Sequence, residues 1–187
     1  WRANARFSKV NSDGFLYRTA SDLYSYYGDL GWYGDRTQVV ARFFGGSEKT
    51  GMGWDGVDYN TAYGVNGADR RYNPAGEYTT TAANGSDSTA YYPNQTDNYA
   101  QQHAQLTLIH RLSTRWNISA TAHYTHGAGY YEQYKRKKLS YWGLPYSHKA
   151  YGMYRKQLDN HFFGGVLAAK YISEPVDLQF GGAANYY

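Results

Sequence analysis

The chain lacks cysteine altogether, which removes disulfide frameworks, cysteine-ligated zinc and thiolate nucleophiles from consideration. It also lacks any run approaching the ~20 apolar residues of a membrane helix, and its mean hydropathy is low, at -0.76. That excludes helical spans alone. Membrane strands of ~9–11 residues are apolar only at alternate positions and barely move the average. Charge is modest, a net +4; this fits phosphate-bearing partners but is thin support for nucleic acid. No serine sits in a nucleophile elbow, and Glu132 and Glu174 lie far apart in the pattern. The chain therefore reads as a non-enzyme, and no cofactor is implied.

Tyrosine is what the chain has in excess, 23 residues alongside 21 glycines and only two methionines. An amphipathic ring suits a membrane-interface girdle. It equally suits a carbohydrate-binding surface, where Tyr is a rigid contact residue. Both readings are all-β.

The clearest pattern lies between His103 and Thr125. Ala104, Leu106 and Leu108 alternate with His103, Gln105 and Thr107; Ile118, Ala120, Ala122 and Tyr124 alternate with Asn117, Ser119, Thr121 and His123. A period of two predicts strands with one dry and one wet face. The polar stretch Arg111–Arg115, closed by Trp116, makes the pair a hairpin. Further strands are expected over 1–10, 23–33, 37–45 and 158–171, with a last one opening at Leu178. Tight turns fall at 34–36 and 173–176. Patterning ceases over about 47–98, where the patch Thr79–Ala90 reads as mobile, and a second long connection is expected over about 134–157.

The order of connections is long, short, very long, short, long, short. Antiparallel neighbours place alternate connections at opposite ends, so all the short turns share one end. Outer-membrane barrels have that polarity. The expected architecture is an antiparallel up-and-down meander of about seven strands, part of a large transmembrane β-barrel. Residues 1–187 read as an internal piece of a longer barrel domain, with 47–98 as a long extracellular loop.

The segments ARFSKVNSDGFLYRTASDLYSYYGDLGWYGDRTQVVARFFGGSEKTGMGWDGV, RRYNPAGEY, DNYAQQHAQLTLIHRLSTRWNISATAHYTHGAGYYEQYK and LDNHFFGGVLAAKY resemble barrel segments of TonB-dependent outer-membrane receptors, with a Bacteroidetes-type flavour. The resemblance spans nearly the whole chain. It implies a 22-stranded barrel with an N-terminal plug, importing a scarce ligand such as a siderophore, haem, cobalamin or an oligosaccharide. TonB would drive it through an N-terminal region not in this sequence. Outer-membrane lipid, lipopolysaccharide and a surface lipoprotein are the further partners implied; nucleic acid is not. The competing reading is a secreted or surface all-β carbohydrate-binding module that uses Tyr/Trp loops.

Within the long loop, Trp54, Asp55, Tyr59, Arg70, Arg71 and Tyr72, with Tyr130 and Tyr131, are the candidate ligand-binding residues. Aromatic rings stack on sugar or macrocycle faces, and arginines grip carboxylate or phosphate. The plainer alternative is a loop that folds on itself. Lys135, Arg136, Lys137 and Lys138 are candidates for lipopolysaccharide contact, or simply a solvated strand extension. Asp55, Asp58, Asp69 and Asp87 match no calcium-loop spacing, so no metal is expected. Of the six histidines, His103 and His123 fall on the polar faces of neighbouring strands and read as lumen lining.

Overall fold

The computed structural model describes residues 1–187 and is all-β. Strands β1 (Arg2–Ser12), β2 (Ser21–Tyr33) and β3 (Thr37–Gly51) are followed by a short helix α1 (Tyr59–Tyr63) and the hairpin β4 (Glu77–Thr81) and β5 (Asp87–Tyr91). Then come β6 (Thr96–Arg111), β7 (Trp116–Lys138), β8 (Lys149–Ser173) and β9 (Val176–Tyr186). Seven of these form one antiparallel sheet in chain order, β1-β2-β3-β6-β7-β8-β9, while β4 and β5 pair only with each other. The two outermost strands, β1 and β9, are open edges.

Register decides what each face of the sheet presents, because a slip of one residue would turn every side chain over. Cross-strand partners run Ala3, Leu30, Ala41, Leu106, Ala122, Gly165, Ala184 across all seven strands. One step towards the short turns, Trp32, Val39, Leu108, Ala120, Leu167 and Gly182 are aligned. The alternation read from each strand separately thus becomes one continuous apolar belt. The belt is bare: Leu106 is 53% exposed, Leu167 66% and Phe180 57%. No second layer covers it, and the buried apolar residues are only Val40, Met52 and Ala75. Full burial of a Leu or Phe side chain is worth ~1.5–3 kcal/mol, and these half-exposed residues forgo roughly half of that. A contiguous apolar face of this size marks an interaction surface.

Aromatic rings border the belt. At the short-turn end Trp116 packs on Tyr171 at 5.0 Å between centroids. At the opposite end Tyr26 packs on Phe43 at 5.5 Å and Phe163 on Tyr186 at 5.3 Å. The reverse face of the sheet carries a polar row, Asn4, Asp29, Arg42, Gln105, His123, Gly164 and Asn185, aligned across the strands, with Val40, Phe44, Phe162 and Val166 interspersed on the same face. Asn4 Nδ2 donates to Asp29 Oδ1 at 3.0 Å, and Thr107 and Thr121 hydroxyls are 3.1 Å apart.

Residues 34–36, 112–115 and 174–175 make the tight turns at one end, and 13–20, 52–95 and 139–148 connect the strands at the other. The sorting expected from sequence holds, but the loops are shorter than expected. The loop placed at 47–98 begins after Gly51 and ends before Thr96; the connection placed at 134–157 shrinks to 139–148. Backbone pairing continues where alternation of side chains has already stopped, as in Lys135 opposite Gly152 and Lys138 opposite Lys149. The Thr79–Ala90 patch is a correction too. It is the β4–β5 hairpin, with Thr79 opposite Thr89 and a turn at Asn84-Gly85 in which Gly85 takes φ +81°.

Candidate functional site

The strand extensions beyond the belt, Tyr130–Lys138 of β7 and Lys149–Gln157 of β8, form a platform on which the longest connection lies. Its inner end is held by Asn73, a buried amide. Asn73 Nδ2 donates to the Tyr17 carbonyl at 2.9 Å and the Met52 carbonyl at 2.8 Å, while Oδ1 accepts from the Ala75 N–H at 3.0 Å. Arg18 donates to the Asn73 carbonyl and stacks on Tyr91 at 3.8 Å. One side chain therefore ties residues 13–20 to the long connection. A second tie is Glu132, 1% exposed, whose carboxylate accepts hydrogen bonds from Tyr92, from Asn94 at 2.7 Å and from Arg155. Burial works against its charged form, but these three donors outweigh burial and hold its pKa below the usual carboxylate value.

Aromatic rings gather on both faces of the platform. On the belt side, Tyr134 stacks on Tyr151 at 5.5 Å and on Tyr92 at 5.3 Å. On the polar side a row of edge-on rings runs from Trp54 to Tyr131 at 5.6 Å, Tyr131 to Tyr154 at 6.3 Å and Tyr154 to Tyr141 at 6.2 Å. Trp54 and Tyr141 are each 59% exposed. Rings open to solvent in a row can stack on flat apolar ligand faces such as sugars. The Tyr154 hydroxyl donates to Gln133 Oε1, which fixes the middle of the row.

The structure brings together only part of the set expected from sequence. Trp54 and Tyr131 share the polar-side row. Tyr130 points to the opposite face, under the Arg155 guanidinium at 4.3 Å. Arg71 Nε donates to the Phe15 carbonyl at 3.0 Å and its guanidinium covers Tyr17 at 4.8 Å. Arg70 Nε reaches the Ala62 carbonyl at 3.4 Å. Both arginines brace the loop. Tyr72 donates to Glu77, and that bond with burial pushes its phenol up to about 12. Tyr59 packs at a tilt on Tyr63, 4.6 Å between centroids, along α1, and Asp55 is exposed.

Of the four aspartates, Asp58 caps α1, accepting from Thr61 N at 3.1 Å and Thr61 Oγ1 at 2.8 Å, which lowers its pKa. Asp69 accepts from Arg71 N at 2.9 Å and Asp87 from Thr81 Oγ1 at 2.6 Å. They do not converge. The basic run is part of β7, so its residues alternate: Arg136 and Lys138 fall on the belt side, Lys135 and Lys137 on the other. His103 and His123 both lie on the polar face, His103 2.8 Å from the Thr125 hydroxyl.

Tyr141 and Tyr154 are members of the row that sequence alone does not reveal. Tyr154 sits in what reads as loop, and only its pairing with Gln133 places it beside Tyr131. No family model, no curated protein and no solved structure matches the chain.

Proposed function

We propose that this chain forms part of the wall of an outer-membrane β-barrel, and specifically of a TonB-dependent receptor that imports a scarce ligand. The observation that carries the reading is the belt. Seven strands align their apolar residues on one exposed face, between two aromatic borders, with a hydrogen-bonded polar face behind. From Trp116 to Tyr124 the belt spans eight strand steps, ~26 Å at ~3.3 Å each. At a strand tilt of ~40° that is a little over 20 Å, close to the ~25 Å apolar band of outer-membrane barrels. In this arrangement the apolar neighbour is lipid, the polar face lines the lumen, and the open edges of β1 and β9 pair with further strands of the wall.

The short turns then face the periplasm and the long connections the cell exterior. Trp54, Tyr131, Tyr154 and Tyr141 stand above the lumen, where an entering ligand would stack on them. The resemblance of its sequence segments to TonB-dependent receptors is what implies the TonB coupling, the plug and the class of cargo. A soluble carbohydrate-binding module would use the same rings, but it would bury Leu106, Leu167 and Phe180 in a shared core, and their exposure disfavours it.

The test is fractionation of the parent protein. Under this reading it floats with outer membranes and resists carbonate extraction, and deletion of residues 53–72 abolishes ligand binding in detergent. A parent that is monomeric and soluble without detergent contradicts the barrel.

A further inference from the structure

Strand register brings His126 beside Asp159 and His161, which share a face of β8 by their two-residue spacing. His126 of β7 and His161 of β8 are direct cross-strand partners on the belt side, one pair beyond Tyr124 and Phe163. Asp159 follows on the same face. His126 Nε2 is 2.8 Å from Asp159 Oδ1, and His161 Nε2 is 3.7 Å from the same oxygen. The three donor atoms lie within 4.8 Å of one another, a little wider than ligands sit around a shared ion at ~2.0–2.2 Å.

We propose that His126, His161 and Asp159 bind a divalent transition cation of the zinc class. Two imidazoles and one carboxylate suit Zn²⁺, Cu²⁺ or Ni²⁺, whereas Mg²⁺ and Ca²⁺ select all-oxygen sets. Tyr124 is the positioning residue: its hydroxyl is 2.7 Å from His161 Nδ1. When Nδ1–H donates to that oxygen, the Nε2 lone pair is free and turned towards Asp159, the arrangement that orients metal-bound imidazoles elsewhere. The two rings now stack with planes 16° apart, so ligation requires the exposed His161 ring to turn about χ2, a soft torsion for imidazole. Asp159 faces the small Ala128 across the strands, and a water would complete a four-ligand set. The site stands whether or not the belt meets lipid.

Isothermal titration of the tag-free protein in detergent with ZnCl₂ tests it. The expected result is one equivalent bound that weakens about 100-fold or more in the His126→Ala/His161→Ala variant, with MgCl₂ giving no uptake. Unchanged zinc uptake in that variant overturns the proposal. Should the variant misfold, pulsed EPR of the unaltered protein loaded with one Cu²⁺ decides: two coordinated imidazoles are expected, and fewer than two overturns it.

Discussion

His123 on β7 and Asn185 on β9 meet at 2.9 Å, imidazole Nε2 to amide Oδ1, across the intervening strand β8. They can do so because Gly164 is the β8 residue between them in register. A Cβ built there would lie 2.3 Å from Asn185 Oδ1 and 2.4 Å from the Ala184 carbonyl oxygen. The glycine is thus a window through which two strands that do not pair with each other share a hydrogen bond on the polar face.

Gly164→Val should therefore be destabilising. The side chain must displace Asn185, and the nearby carbonyl belongs to backbone that can yield only if the β8–β9 pairing shifts. Overpacking of this kind costs ~1–3 kcal/mol. Thermal unfolding of the purified variant should show the loss, and His123→Ala in the same background should recover little of it, since the carbonyl clash remains.

Glu132 makes the closure of the long connection sensitive to acid. Its folded-state pKa lies below the usual carboxylate value, so the stabilisation it gives is present at neutral pH and disappears as pH falls through the folded value. Limited proteolysis within residues 52–95 should be slow at pH 7 and accelerate only below about pH 4, the ordinary carboxylate range. In Glu132→Gln, cleavage at pH 7 should rise about tenfold, the equivalent of one lost charge-assisted hydrogen bond, and the acid step should vanish.

At the alkaline end Tyr72 behaves in the opposite sense. Its phenol is raised to about 12 by the bond to Glu77, so the stabilisation is complete below the ordinary phenol pKa of ~10 and is lost between there and about 12. Difference absorbance titration against Tyr72→Phe should isolate one tyrosine ionising near 12. One ionising near 10 instead would mean that the Tyr72–Glu77 bond is absent in solution.

The strands of the belt were legible because one apolar and one polar face write a period of two into β1, β2, β3, β6, β7, β8 and β9. Turns were legible through Gly34-Asp35 and Glu174-Pro175. Beyond the belt no face is sorted by polarity: Glu132, Gln133 and Tyr134 succeed one another, and strand continuation there rests on backbone hydrogen bonds that the side chains do not record. The β4–β5 hairpin did leave a signal, Asn84-Gly85 between threonine-rich arms, a turn pair favoured in tight hairpins. The shared face of Asp159 and His161 is written in their two-residue spacing, but their meeting with His126 and the Tyr131–Tyr154 row left no signal, since both depend on the β7–β8 register.

The belt is tested most directly by nitroxide labelling at cysteines introduced into these strands, which have none of their own. Single cysteines at Leu106, Leu167 and Phe180, and at Gln105, Val166 and Gln179 as their opposite-face neighbours, would be labelled in the full-length parent in lipid vesicles. Collision rates with oxygen and with a water-soluble nickel chelate would then be compared. The barrel account predicts that the first three meet oxygen and exclude nickel, while their neighbours meet nickel. Nickel reaching Leu106, Leu167 and Phe180 as freely as Gln105, Val166 and Gln179 would contradict it.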